Sequence, residues 1–286
     1  MKKISNELEQ KIIEAYTKGN GYTRVAKICN TNPSTVMRVL KRNNIQIRNN
    51  HEKSKLYFCN ENYFEEINTP NKAYWLGFIY ADGYVSINNN HYVFGIALSE
   101  KDCILLKKLN FELNSSYPIH TYKQASGYSE KTVYCRLCIT SQKIVNDLIK
   151  HGVVEHKTNI LQPPNIDKEL VPHFIRGYLD GDGCITCSEK SDGTLSYKVK
   201  ILGTEPILDF IKNFIEKNEV ATINRYYKRK EDQLVSSIDF GGNNQVRKFL
   251  DLLYKDANIF LERKYEKYLD LCRYNNYSRS RRELLD

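Results

Sequence analysis

The sequence has no long hydrophobic run and no segment typical of export. Its longest apolar stretch, Ala73–Ala81, is far shorter than the ~20 residues that a membrane-spanning helix needs. Residues 1–8 become charged and polar at once, which is not the pattern of a secretory signal. We therefore expect a soluble cytoplasmic protein in which the eight cysteines remain free thiols.

The composition also excludes a disordered chain, because 41% hydrophobic against 27% charged residues can form a buried core. A length of 286 residues suits more than one domain, at roughly 150 residues each. Lys and Arg number 43 and Asp and Glu 34, which gives a net charge of +9. Such an excess favours a polyanionic partner, most commonly nucleic acid, although charge alone also fits a ribosome-bound or membrane-surface protein.

Residues 1–48 show the pattern of three short helices. Apolar residues repeat at helical spacing over residues 6–18, 23–29 and 33–42, and Asn32 followed by Pro33 is a strong helix start. The last two helices resemble the helix-turn-helix units of resolvase-type and phage DNA-binding proteins, whose final helix enters the major groove. The alternative is a three-helix bundle with a solvated basic face. The polar residues expected to contact DNA are Ser34, Thr35, Arg38, Lys41 and Arg42.

After a polar linker at residues 49–70, the chain repeats itself. The segments LGFIYADGYVS (76–86) and RGYLDGDGCIT (176–186) match at an offset of 100 residues. Each is followed by the same series of predicted elements and then by a basic pair, so that each half has the order αββαββα. We therefore predict two pseudo-symmetric subdomains at 71–165 and 166–272, with a basic C-terminal tail at 273–286.

Each repeated segment predicts a helix with small residues four positions apart. Small residues at this spacing lie on one face and allow two helix backbones to approach closely. The pairs are Gly77 with Ala81 and Gly177 with Gly181. Side-by-side packing would bring Asp82 next to Asp182, just before Gly83 and Gly183, which we predict to be the glycines that end each helix in the left-handed conformation.

Two carboxylates at adjacent helix C-termini are electrostatically unfavourable, since the helix dipole is already negative there. The arrangement becomes favourable if divalent cations lie between Asp82 and Asp182. Mg²⁺ is the first expectation for oxygen ligands, with Mn²⁺ able to substitute. Metal ions so placed could support in-line phosphodiester cleavage, although an inert packing seam would show the same small residues.

The segments WLGFIYADG and IRGYLDGDG, their separation and the closing basic pairs resemble those of single-chain LAGLIDADG homing endonucleases. The resemblance covers residues 71 to about 270. It implies an α+β fold in which two saddle-shaped antiparallel sheets lie in the DNA major groove. It also implies that Asp82 and Asp182 bind the metal, that the Ala81 and Gly181 carbonyls complete its shell, and that Lys157 and Lys264 act near the scissile phosphates.

The resemblance further implies a site-specific double-strand DNA endonuclease that promotes mobility of an intron or of a free-standing gene. Such an enzyme would be a monomer associated with the nucleoid of a bacterium or phage host, with double-stranded DNA as its partner and no obligate protein partner or membrane. Two alternatives stay open, a catalytically inactive DNA-binding regulator of the same fold and an RNA-binding intron maturase. Tyr80 departs from the family pattern, because the second repeat has Asp180 at that position.

Alternating strands provide the remaining candidate DNA contacts. Val199 and Ile201 are predicted to face the core and their neighbours the DNA. The candidates are Lys123, Arg136, Lys198, Lys200, Arg225, Lys228 and Lys230. Two Cys-x-x-Cys pairs, at 135–138 and 184–187, suggest zinc, but residues three apart on a strand point to opposite faces, so we expect structural cysteines.

Overall fold

The computed structural model describes residues 4–18, 20–45, 56–126, 129–224, 226–228 and 235–283. The chain divides into two units, residues 1–58 and residues 59–286. Within the described ranges, no helix is both long and apolar enough to cross a lipid bilayer.

The first unit contains three helices close to their predicted positions: α1 (Asn6–Thr17), α2 (Tyr22–Ile28) and α3 (Pro33–Arg42). Ser5 caps α1, because its hydroxyl accepts a hydrogen bond from the Leu8 amide at 3.3 Å. Asn32 stands at the N-cap of α3, but its side chain makes no capping hydrogen bond. The helices share one core, formed by Ile12, Tyr16, Val25, Ala26, Cys29, Val36, Val39 and Leu40.

The second unit begins with one complete set of repeat elements. They are α4 (Pro70–Asp82), β1 (Gly83–Asn88), β2 (His91–Ser99), α5 (Cys103–Glu112), β3 (Ile119–Ser126), β4 (Ser129–Thr140) and α6 (Gln142–Lys150). The Thr69 hydroxyl caps α4 by accepting from the Lys72 amide, and Pro70 occupies the first turn. Ser141 caps α6 in the same way, by accepting from the Ile144 amide.

The second set follows the same order. It consists of α7 (Val171–Asp182), β5 (Gly183–Glu189), β6 (Leu195–Thr204), α8 (Glu205–Lys217), β7 (Tyr227–Lys228), β8 (Val235–Gly241) and α9 (Asn243–Tyr254). A further helix, α10 (Glu262–Glu283), closes the unit. The order αββαββα is therefore present in both halves. The predicted boundary at residue 272 is not a break in structure, since α10 continues across it.

Each half forms one four-stranded antiparallel sheet. The strand orders are β1-β2-β4-β3 and β5-β6-β8-β7, so the two sheets have the same topology. Alternate residues of the central strands are buried, as predicted, with Val199 and Ile201 inward and Lys198 and Lys200 outward. In β4, Cys135 and Leu137 are likewise buried while Arg136 between them is exposed.

Gly83 and Gly183 end the motif helices as predicted, but neither adopts the left-handed conformation. Gly83 has φ −80° and Gly183 φ −102°, and both belong to the extended strands β1 and β5. Glycine is needed there for space, because a Cβ on Gly83 would lie 2.9 Å from the main chain of Ile79. Each motif helix therefore passes directly into a strand without a capping turn.

Candidate active site

The candidate active site lies at the end of the seam between α4 and α7. A Cβ on Gly77 would lie 2.0 Å from the Phe174 carbonyl oxygen, and one on Gly177 would lie 1.9 Å from that of Tyr74. Real Cβ atoms do not tolerate such distances, so only glycine allows this approach at either position. The close packing of the two motif helices predicted from residue spacing is confirmed.

The same seam brings the two motif acids together. A Cβ on Gly181 would lie 2.2 Å from the Ala81 Cβ and 3.3 Å from Asp82 Oδ2. The Asp82 carboxylate therefore lies against the other motif helix, one residue from Asp182. The Asp82 side chain is exposed and that of Asp182 is half-buried, so solvent reaches both, although neighbouring atoms displace much of the water around the two carboxyl groups.

The surroundings of these acids favour their protonated forms. Burial of the carboxyl group, followed by repulsion from Asp182, raises the pKa of Asp82 to about 6. Burial also raises the pKa of Asp182, against the attraction of Lys157 and Lys264. Ionisation of the two carboxyl groups is therefore opposed mainly by their loss of hydration. A cation bound between them would offset this cost.

The two predicted lysines are in the same cluster, where they bind main-chain carbonyls. Lys157 Nζ donates to the Tyr80 oxygen at 2.7 Å and to the Ala81 oxygen at 2.5 Å. Lys264 Nζ donates to the carbonyl oxygens of Leu179, Asp180 and Gly183 at 2.5, 2.7 and 2.6 Å. Each ammonium group therefore neutralises the C-terminal end of one motif helix, where the helix dipole is negative.

The two lysines differ in exposure. Lys264 is only 2% exposed, and burial lowers its pKa to about 8 despite the attraction of Asp180. Lys157 is half-buried, and burial lowers its pKa as well, although Asp182 and Asp82 oppose the shift. Both ammonium groups are close enough to the acid pair to interact with it electrostatically.

Different residues fix the two lysine-bearing segments, which the sequence alone did not reveal. The Tyr80 hydroxyl donates to the His151 carbonyl at 2.6 Å, in the turn that follows α6. Asp180 Oδ2 accepts from the Leu261 amide at 2.8 Å, immediately before α10. Tyr80 and Asp180 occupy the same position in the two repeats. Each forms a hydrogen bond that attaches its motif helix to the segment that carries the lysine.

Tyr178 is a second feature that sequence reasoning missed. Its hydroxyl donates to the Leu202 carbonyl at 3.0 Å, which ties the last turn of α7 to β6. The first repeat has Phe78 at the matching position and lacks this hydroxyl. In the sequence, the hydroxyl of Tyr178 is indicated only by the difference from Phe78 between two otherwise similar segments.

The structure divides the candidate DNA contacts on the strands into two groups. Arg136, Lys198 and Lys200 are exposed on the faces directed away from the helices. Lys123 is paired with Val133 and Lys228 with Ser236, so both lie on the helix-facing sides of their sheets. Lys228 also forms an ion pair there with Glu205 at 3.0 Å. Neither Lys123 nor Lys228 therefore lies on the outward face that was predicted to contact DNA. Arg225 and Lys230 lie outside the described residues.

The candidate recognition residues of α3 are placed on one accessible side of that helix. Ser34, Arg38 and Lys41 are exposed, and Thr35 is half-buried. Arg42 forms an ion pair with Glu9 of α1, so part of its charge is neutralised within the unit.

No cluster of three or more His, Cys, Asp or Glu side chains in the described part of the chain is arranged to hold a metal ion. None of the eight cysteines, all of which lie in the described part of the chain, is paired in a disulfide. The donors present at the acid pair are carboxylate and carbonyl oxygens, which suit a hard divalent cation. The Ala81 oxygen is less suitable than expected, because the Lys157 ammonium already binds it.

No protein-family model and no curated protein matches the chain in sequence. Solved structures do match its fold. The LAGLIDADG homing endonuclease I-GzeII, in complex with its DNA target, has a TM-score of 0.54 and 14% identity over 76% of this chain and 92% of its own. Meganuclease I-SmaMI, bound to uncleaveable DNA, has a TM-score of 0.50 and 14% identity over 76% and 94%. The chain therefore has the LAGLIDADG homing endonuclease fold, which confirms the expected α+β architecture with two related subdomains.

Proposed function

We propose that the chain is a site-specific double-strand DNA endonuclease that depends on a divalent metal ion, with Mg²⁺ as the expected ion. The observation that carries the proposal is the convergence of Asp82 and Asp182 at the end of a glycine seam. Two neighbouring carboxylates of raised pKa that solvent can reach are unfavourable for stability alone and are typical of a functional site.

Asp82 and Asp182 would hold the metal, and the Gly181 carbonyl, water and DNA phosphates would supply further oxygens. When bound, a divalent ion there supplies charge neutralisation at the phosphate and activation of water. Lys157 and Lys264 keep positive charge beside the acids, in the region where negative charge increases during phosphodiester hydrolysis. Because each lysine is held by main-chain carbonyls, its ammonium group is already ordered before DNA binds.

The outward faces of the two sheets would bind the major groove on either side of the cleft, since Arg136, Lys198 and Lys200 are exposed there. We also propose that the first unit is a helix-turn-helix domain that reads DNA through α3. Replacing Thr35 and Arg38 by alanine together should shorten the DNase footprint at one end, with cleavage retained. Unchanged protection would contradict a DNA-reading role for α3.

The experiment that tests the proposal is cleavage of a plasmid carrying the uninterrupted DNA that flanks this gene. Wild-type protein should linearise it in Mg²⁺ and not in EDTA, whereas Asp82→Asn and Asp182→Asn should not cleave it. Asp192→Asn is the matched control, because it removes an exposed carboxylate outside the cleft. Cleavage by both cleft variants would refute the mechanism. Specific binding without cleavage by the wild type would indicate a regulator, and preference for folded intron RNA a maturase.

A further inference from the structure

The outward face of the second sheet carries polar and charged side chains. Because strands β5, β6 and β8 alternate, these residues point away from the helices that cover the other face. We call this set the second outward face: Cys184, Thr186, Lys198, Lys200 and Asp239.

At the centre of this face, a cation and an anion lie directly opposite each other. Lys200 of β6 is paired with Asp239 of β8 in the antiparallel register. Within the part of the chain that the structure describes, these two side chains form no ion pair within 4.0 Å, whereas Lys228 on the opposite face is bound to Glu205 at 3.0 Å. The second outward face therefore presents one hydrogen-bond donor and one acceptor side by side that do not bind each other.

We propose that Lys200 and Asp239 together read one G·C base pair in the half-site bound by the second subdomain. Lys200 Nζ would donate to N7 and O6 of guanine, and the Asp239 carboxylate would accept from N4 of cytosine. This inference rests on the proposed function, since it requires that the sheet lie in the major groove.

The spacing of the two side chains matches the edge of a base pair. Opposite residues in an antiparallel pair have Cα atoms roughly 4.5–5.5 Å apart, and long side chains can converge from there onto adjacent atoms. In a G·C pair two acceptors on guanine are followed by a donor on cytosine, whereas an A·T pair alternates acceptor, donor and acceptor. A lysine alone could donate to acceptors on several different bases. The neighbouring carboxylate, which needs a donor beside those acceptors, restricts recognition to a G·C pair.

The first sheet does not repeat this arrangement. The positions that match Lys200 and Asp239 in strand register are Gly95 of β2 and Cys138 of β4. An outward-facing cation of that sheet, Arg136 of β4, lies opposite Ala97 on one side and His120 on the other. Its guanidinium carbon lies 5.5 Å from the centre of the Tyr122 ring, which is the geometry of a cation–π contact. The proposed reading of G·C by an adjacent cation and carboxylate therefore applies to one half-site, and the target should be asymmetric.

The test is selection of bound sites from a randomised duplex DNA library by the full-length protein. Wild type should select a G·C pair at a fixed position in one half-site. Lys200→Ala and Asp239→Asn should each reduce that preference by about tenfold while the other positions keep theirs. Lys228→Ala is the matched control, because it removes the same charge from the helix-facing side of the same sheet, and its selected sites should equal those of the wild type.

Two results would overturn the inference and separate it from the proposed function. If Lys200→Ala weakens binding equally for all sequences and only reduces the salt dependence, Lys200 contacts phosphate and the endonuclease proposal still stands. If wild type enriches no sequence at all, the inference and the proposed function both fail. The double exchange Lys200→Asp with Asp239→Lys provides a second check, since it should invert the preferred pair to C·G, and retention of G·C would contradict the pairing.

Discussion

Replacing Asp180 by asparagine isolates the contribution of one buried carboxyl group to stability. Asp180 is 1% exposed, and its Oδ2 atom accepts from the Tyr74 hydroxyl and the Leu261 amide, both at 2.8 Å. The other oxygen, Oδ1, has no hydrogen-bond partner. An asparagine amide oxygen at the Oδ2 position can accept both bonds, so Asp180→Asn removes the ionisation and retains the contacts.

The magnitude follows from the pKa of Asp180. Burial raises it from an ordinary value of 3.8 to about 6, against the attraction of Lys264. Because the folded state then binds the proton more tightly than the unfolded state, the stabilisation is complete below pH ~4 and is lost as the pH rises through about 6. Between pH ~4 and pH 7 the free energy of unfolding of the wild type should therefore fall by up to about 3 kcal/mol through Asp180. The asparagine variant has no such decrease.

The assay is urea unfolding of both proteins in EDTA at intervals between pH 4 and pH 7. The free energy of unfolding of Asp180→Asn relative to the wild type should increase as the pH rises. Asp192→Asn is the control of opposite sign, because hydrogen bonds from Thr194 lower the pKa of Asp192, so that its contribution to stability is lost as the pH falls. A difference for Asp180→Asn that is constant, or that decreases with pH, would refute the reasoning.

Three further outcomes follow from the cleft and the seam. The cleavage rate should increase from pH 5 to pH 7 as Asp82, of pKa about 6, loses its proton. The midpoint pH of this increase should fall as the Mg²⁺ concentration is raised, and a rate that does not vary with pH would contradict the assignment. Gly177→Ala should reduce the free energy of urea unfolding by at least about 2 kcal/mol, because its Cβ would overlap a carbonyl of the other motif helix. An unchanged free energy of unfolding would contradict the close approach of the two helices. Lys264→Met removes the donor to three carbonyls, two of them in buried contacts, whereas Lys157→Met removes the donor to two carbonyls in a half-buried site. Lys264→Met should therefore lower the melting temperature more, and equal losses would argue against neutralisation of the helix ends.

The features that were predictable from the sequence depend on short-range spacing. Small residues four apart placed the glycine seam, because helical periodicity determines which residues share a face. Alternation in β4 and β6 placed Arg136 and Lys200 on outward faces, since buried apolar neighbours fix the register of a strand with one covered side. The duplicated motif then identified Asp82 and Asp182 as partners across the pseudo-symmetry.

The features that were not predictable depend on contacts between distant segments. Lys123 and Lys228 belong to strands whose sequences do not alternate clearly, so only the pairing with β4 and β8 shows that they face the helices. The glycines after each motif were assigned to left-handed caps by local rules. The next residues instead continue as β1 and β5, which local rules do not encode.

The attachment of the lysine-bearing segments shows how the two repeats diverged together. The first half uses Tyr80, a neutral hydroxyl, and the residue one turn before it is the buried Leu76. The second half uses Asp180, and one turn before it is Arg176, which is completely buried. A buried carboxylate without a nearby cation is strongly unfavourable, whereas a buried tyrosine needs only an acceptor for its hydroxyl.

The second half thus has a buried acid and a buried cation one turn apart on the same helix, where the first half has neither. Arg176 donates to the Leu253 and Ile259 carbonyls at 2.7 and 3.0 Å and attracts the Asp180 carboxylate, whose burial opposes ionisation. Exchanging Asp180 for tyrosine alone would remove the acceptor of the Leu261 amide, and exchanging Arg176 for leucine alone would remove one of the cations, besides Lys264, that attract the carboxylate. In both halves a lysine ammonium group lies at the end of its own motif helix. The two halves therefore share the position of this group and differ in the residue that attaches the lysine-bearing segment.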